Sequence, residues 1–324
     1  MSARLKAWLA ISRCSNLPTV WSNILVGWIA GLVSTYLNTV VAGNQSSLPN
    51  PWSMGLWILL LGATCSYVGG MILNDLWDRD WDALHRPERP IPSQLIHPRT
   101  AAIAASVLLS LGFVFALSIS PAVKRWETAL VSTLLVVGII VYNRWHKGVW
   151  FAPLIMGFCR VALPLLGFLC ATPFSEGTLH GFSVYLTTLG VFTFLITGVA
   201  RHEATHSSPS RWVETLFFLV PIPLCLGFSL SRSAVFVFAV YGFWILYSNL
   251  KHPLPHGVGA RVSSRLAAIP LLDGLFLALL FPYYHAQIER SENYALFAQL
   301  GFGFFIPSFC FLLALTWRRW IPST

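Results

Sequence analysis

Apolar runs long enough to cross a bilayer recur along the whole chain, at roughly 17–40, 54–75, 100–120, 128–143, 150–171, 182–203, 211–230, 234–249, 267–284 and 294–316. A crossing needs about 20 residues as a helix. The runs are continuous and do not alternate with period two, so helices are the expected spanning element. The fourth and eighth runs are short, which leaves one of them as a partial crossing and sets the expectation at nine to ten spans. Only 10% of the 324 residues are charged, against about a quarter in soluble domains. No polar or low-complexity linker divides the chain, so residues 1–324 read as one all-α integral membrane domain. Arg4, Lys6 and Arg13 precede the first run. With no small-residue cleavage site, that run reads as a retained helix and not as a signal peptide. The six cysteines lack CxxC spacing and read as small core residues.

The basic residues test the span count. With the N-terminus placed in the cytoplasm, 16 Lys and Arg fall in inside segments and four outside (Lys124, Arg125, Arg232, Arg290), with Arg160 within a span. Such asymmetry is the positive-inside pattern. It predicts a multi-pass protein with both termini and the aspartate cluster on the cytoplasmic side; a bacterial inner membrane is the expected location, with an organelle membrane left open. The net charge of +9 is scattered over helix ends with no basic stripe, which excludes nucleic acid as a partner and leaves the lipid bilayer.

Four of the chain's five aspartates lie in eight residues, Asp75 to Asp82, at the end of the second run. Asp75, Asp78 and Asp82 fall at i, i+3 and i+7, one face of a helix, while Asp80 points elsewhere, near Arg79. Stacked carboxylates repel one another, and each costs roughly 2.5–3.5 kcal/mol at a bilayer centre and less at the interface. Two readings account for them: an acidic loop facing water, or a strip that holds Mg²⁺, which takes one or two carboxylates together with substrate phosphates.

Asn74-Asp75-Leu76-Trp77-Asp78-Arg79-Asp80-Trp81-Asp82, followed by Arg86-Pro87-Glu88-Arg89-Pro90-Ile91-Pro92-Ser93, resembles the first signature of the UbiA-type intramembrane prenyltransferases and its R-P-x-R-P-I-P continuation. The resemblance implies a helical bundle around a central, laterally open cavity. It also implies that Asp75, Asp78 and Asp82 hold Mg²⁺ against the diphosphate of a polyprenyl diphosphate, whose allylic carbocation alkylates a small, aromatic or cyclic acceptor. Asn74 belongs to the same motif.

The remaining candidates each carry an alternative. Asn16, in Arg13-Cys14-Ser15-Asn16-Leu17-Pro18, is either a polar substrate contact or a helix-start signal. Arg144 and Lys147, after Tyr142, resemble a family segment that grips diphosphate, with one residue too many in the spacing; both also suit interfacial anchors. Arg160 is an intramembrane cation, hence a substrate-binding candidate or one half of a structural pair, with Asp273 as a possible partner or a cavity residue. The family's second acidic cluster, commonly D-x-x-x-D, is replaced by Val199-Ala200-Arg201-His202-Glu203-Ala204-Thr205-His206. There Glu203 is the one carboxylate offered to a metal, with Arg201, His202 and His206 toward phosphate. Taken together, residues 12–23 (SRCSNLPTVWSN), 74–82 (NDLWDRDWD) and the degenerate 200–206 (ARHEATH) are also similar to the EboC-like branch of the family, which gives the alternative function of a non-catalytic lipid or metabolite carrier.

Overall fold

Ser2 starts the first helix by accepting the Leu5 N–H on its hydroxyl (3.3 Å), and α1 runs Ala3–Ser12. Arg13 stops it in the left-handed region at φ 45°, a conformation that costs an L-residue roughly 1–2 kcal/mol. A 3₁₀ turn, Cys14–Asn16, then leads into α2, Leu17–Val41. The structure, a computed structural model, describes residues 2–41, 50–145, 149–172, 181–205, 210–228, 230–253, 257–289, 303 and 305–319.

The helices that follow are α3 Met54–Trp77, α4 Arg79–His85, α5 Pro98–Ile119, α6 Arg125–Trp145, α7 Ala152–Ala171, α8 Phe182–Thr205, α9 Arg211–Leu219, α10 Ile222–Leu226, α11 Arg232–Lys251, α12 Val258–Ala267, α13 Ile269–Glu289 and α14 Phe305–Trp317. Among the described residues no strand occurs, and eight helical stretches are long and apolar enough to cross a membrane. Trp212–Leu226 and Phe305–Trp317 are shorter apolar helices. This is an all-α integral membrane protein, with the helix count close to the nine or ten expected.

The short spans are not where the sequence placed them. Residues 128–143 and 234–249 sit inside full-length helices, α6 and α11, because polar ends such as Arg125, Glu127, Arg232 and Lys251 stay helical beyond the apolar run. The seventh run, 211–230, is the broken one. Pro221 and Pro223 each lack an N–H and clash with the preceding turn, so α9 ends at Leu219 and α10 is a five-residue remnant. Glu214 ties α9 to α12 through ion pairs to Arg261 (3.1 Å) and Arg265. Arg265, fully buried, also donates to Asn249 Oδ1 of α11 (2.9 Å). The ninth run, 267–284, falls almost wholly in α13; α12 precedes it, and the two together make one candidate span, Val258–Leu280. Of the tenth run, 294–316, residues 303 and 305–316 are described.

The central helix is α2, buried nearly all round up to Tyr36, as a helix without a polar face must be. It packs tightly on α7 through small residues, as membrane helices do. A Cβ on Gly27 would lie 1.9 Å from the Pro164 carbonyl oxygen, and one on Gly167 would lie 2.3 Å from that of Ile24. Neither obstacle can rotate away. Gly27→Val is therefore expected to lower thermal stability in detergent by at least the roughly 1–3 kcal/mol of an overpacked core. Gly242→Ala, with nothing within 4 Å of the new Cβ, should melt like the parent. On α5 the exposed Ile103, Val107, Leu111 and Val114 form a stripe at helical spacing turned away from the protein, a face suited to lipid.

Candidate functional site

The strained turn at Arg13 faces the end of α3. From there its guanidinium donates to Asn74 Oδ1 (3.3 Å) and to Asp75 Oδ1 (3.2 Å). A left-handed residue with a functional-site contact is where backbone strain tends to be kept. Tyr67 of α3 steadies the same turn, donating its hydroxyl to the Arg13 carbonyl (3.4 Å).

The strip of carboxylates then continues through Asp78, whose N–H bonds back to Asn74 O (3.0 Å), into α4, where the Asp82 N–H bonds Asp78 O (2.8 Å). Helical spacing thus survives the α3–α4 joint. Asp75 and Asp82 are buried, Asp78 is half-buried, and Asp80 is exposed beside Arg79 (3.3 Å), as the i, i+3, i+7 pattern requires. The segment after α4 folds back in successive turns, with Arg89 N–H on Arg86 O (3.1 Å) and Ser93 N–H on Arg89 O (2.9 Å). Ile91 and Ile96 anchor it in a small core with Ala7, Ile11, Ile72 and Ala101. That anchoring aims Arg89 between the two buried carboxylates, at 3.0 Å from Asp82 and 3.5 Å from Asp75.

In front of these pairs lies a cavity of about 280 Å³. Arg13, Arg86, Arg89 and Arg160 contribute to its wall, as do Asn16, Tyr67 and Tyr142; the α8 side is neutral, with Thr193, Ile196, Thr197 and Ala200. Asp75 and Asp82, paired to Arg13 and Arg89, are not among the residues that line it. Tyr67, Met71, Tyr142, Met156 and Arg160 are shared with a narrow slot of about 100 Å³ that runs between α3, α6 and α7, where Leu135, Ile139 and Leu163 make it apolar. A charged head chamber joined to an apolar slot is the shape of a binding site for an anionic amphiphile.

Arg160 marks the junction. One Nη donates to the Thr19 carbonyl (2.7 Å), and its buried Nε has no hydrogen-bond partner. Asp273, its possible partner, is taken elsewhere. It is fully buried and accepts from Ser22 Oγ (2.5 Å), Tyr185 Oη (2.6 Å) and Asn23 Nδ2 (2.9 Å). Among the described residues the two form no ion pair.

Of the other sequence candidates, Asn16 lines the cavity and accepts from Arg318 Nη2 (2.8 Å), and Asn74 is buried against Arg13. Arg144 is exposed over the ring of Trp145 (6.0 Å), outside the cavity wall. Arg201 is exposed too and donates to the Trp150 carbonyl (3.5 Å). His202 is partly buried near the end of α8 and is not among the lining residues. Lys147 and His206 lie outside the described residues, as does the Glu203 side chain. The sequence reading missed Arg13, Arg86, Arg89 and Tyr67, although all but Tyr67 sit inside the motif segments it quoted. Arg318 it could not have found, since that residue meets Asn16 across 302 positions of chain. Burial pushes Arg318 down to about 10, so it stays cationic at neutral pH.

Among the described residues no three His, Cys, Asp or Glu side chains form a ready-made metal cage. Arginine engages Oδ1 of Asp75 and Oδ2 of Asp82, and their second oxygens, with Asp78 on the same strip, are the donors that would hold Mg²⁺, a cation that takes one or two carboxylates and completes its shell with substrate phosphates and water.

A model of the UbiA prenyltransferase family matches residues 32–306. The chain is 29% identical over 293 residues to a digeranylgeranylglyceryl phosphate synthase from Thermococcus gammatolerans, covering 88% of this chain and 93% of that one. A UbiA homologue from Aeropyrum pernix K1, solved in the apo state, superposes with a TM-score of 0.56 at 14% identity, over 78% of this chain and 94% of that one. Another from Archaeoglobus fulgidus, bound to DMAPP and Mg²⁺, gives 0.42 at 12% identity over 94% and 98%.

Proposed function

The chain belongs to the UbiA prenyltransferase family and is a prenyltransferase, and we propose that its donor is a polyprenyl diphosphate and its acceptor a small molecule. The observation that carries this reading is the four-arginine chamber opening on an apolar slot. A diphosphate seated among Arg13, Arg86, Arg89 and Arg160 would place its isoprenoid tail in the slot, with the allylic C–O bond near Arg160. Charge builds on the departing diphosphate as that bond ionises, and preorganised guanidinium groups in a water-poor site stabilise it most. The rings of Tyr67 and Tyr142, at the junction, suit the allylic cation through their faces. The acceptor heteroatom or ring carbon then attacks that cation and gives up its proton.

Reconstituted protein offered a labelled polyprenyl diphosphate should release diphosphate and form an alkylated product. Acceptor candidates are a phenolic ring and a glycerol phosphate, told apart by product mass. Arg160→Gln is expected to cut turnover by about 10²-fold, in line with the loss of one oxyanion-stabilising donor, whereas Arg144→Gln should stay within about twofold, as exposed substitutions do. Donor binding without release, for every chain length and acceptor, would sink the transfer reading in favour of a carrier.

A further inference from the structure

We infer that Arg318, just past the end of α14, is a positioning residue for the donor headgroup and acts through Asn16 and Tyr67. The inference rests on the proposed function for what the chamber holds, and adds to it a residue that does not line the cavity. The Arg318 guanidinium forks between two separate parts of the chain. Its Nη2 donates to Asn16 Oδ1 (2.8 Å), and its Nη1 donates to the Ser263 carbonyl of α12. Both partners belong to the chamber wall: Asn16 lines it directly, and α12 contributes Val262 and Leu266. One side chain thus clips the turn ahead of α2 to the helix that faces the same cavity. The guanidinium is delivered by a packed helix end. Cys310 and Ala314 of α14 are buried, and Trp317 meets Trp21 of α2 edge-on at 5.8 Å.

What the fork does to Asn16 follows from the amide's inventory, an accepting oxygen and a donating nitrogen. With Oδ1 held by Arg318, the nitrogen is left to donate, and the Asn16 side chain hydrogen-bonds the Tyr67 hydroxyl. Tyr67 gives its own proton to the Arg13 carbonyl (3.4 Å), so its oxygen accepts from Asn16. A directed chain results, from Arg318 to Asn16, on to Tyr67, and then to the strained turn at Arg13. The last three members all line the chamber. A guanidinium has donors only, so Arg318 fixes the direction of the whole chain. Without it the Asn16 amide is free to flip, draw the phenol proton to its own oxygen and release the Arg13 carbonyl.

The test is donor kinetics and binding with the reconstituted full-length chain in MgCl₂. Arg318→Gln should raise KM for the polyprenyl diphosphate by about tenfold and keep kcat within about threefold, because a misplaced headgroup contact is lost from ground and transition states alike. Arg318→Lys keeps the charge but not the fork, and should fall between the Gln variant and the parent. Arg319→Gln, at the exposed next residue, should match the parent. A double-mutant cycle checks the connection: in an Asn16→Ala background, Arg318→Gln should raise KM no further. An Arg318 with a merely structural role would add its own loss to that of Asn16. Thermal melting shows which variants are folded, and if the Gln variant is not, the Lys variant carries the test in both backgrounds. A parental KM in the folded variants, or additive losses, overturns the proposal. Equilibrium binding of geranyl diphosphate should weaken by the same factor in Arg318→Gln, so a parent that binds without transferring overturns the transfer reading alone.

Discussion

Asp75→Ala is expected to lower prenyl transfer by about two to three orders of magnitude. Two cations lean on that one carboxylate, Arg13 at 3.2 Å and Arg89 at 3.5 Å. Removing one partner of a buried ion pair costs about 3–5 kcal/mol, because the charge left behind loses its compensation, and each 1.36 kcal/mol is about tenfold in rate when it falls on the transition state. The guanidinium groups that line the chamber would lose their fixed positions, so the Michaelis constant for the donor should rise along with the drop in turnover. Arg13 and Asp75 act as one unit, so the double variant Arg13→Gln, Asp75→Asn should lose little more than the worse single variant. Additive losses in the double variant would mean that Asp75 acts independently of the arginines.

How far the sequence exposed this site depended on distance along the chain. The Asp75, Asp78, Asp82 strip is local, and helical geometry alone put it on one face with Asp80 turned out. The helices were legible too, because in lipid every backbone group must bond within its own segment, so an apolar run becomes a helix. The break at Pro221 was not, since hydropathy is blind to a missing N–H when proline sits among leucines and isoleucines. Arg144 and Lys147 drew attention by their place after Tyr142, yet Arg144 turns out over Trp145. The arginines that line the chamber reach it by folding back. Arg89 depends on Ile91 and Ile96 docking against α1, α3 and α5, Arg13 on an unfavourable φ, and Arg318 on a contact 302 residues away. None of these has a periodic signature. What could have pointed to them is the mismatch of sign, with Arg79, Arg86 and Arg89 all lying within or just after the acidic strip, so that the carboxylates never lacked nearby partners.

The same mismatch leads to Asp273, whose loss should have the largest effect on stability. It joins three helices: Ser22 and Asn23 come from α2, Tyr185 from α8, and the carboxylate from α13. All four side chains are fully buried. Asp273→Leu would leave three donors in an apolar interior, each costing about 1–3 kcal/mol when orphaned. The Ser22 hydroxyl can turn back to its own helix backbone, so the net loss should be about 3–5 kcal/mol, enough to remove most of the folded protein from a mild-detergent preparation. Asp273→Asn keeps the shape and one accepting oxygen, and its cost should sit near the ~1 kcal/mol of a single hydrogen bond between membrane helices. Unfolding by graded denaturing detergent measures both, and a Leu variant as stable as the parent would remove the clasp from the account. The Asn variant also separates clasp from ligand site. Taking away the negative charge leaves Arg160 less compensated, so geranyl diphosphate should bind the variant as tightly as the parent, or more tightly. If Asp273 instead positioned Arg160 for the headgroup, affinity would fall while the melting curve barely moved.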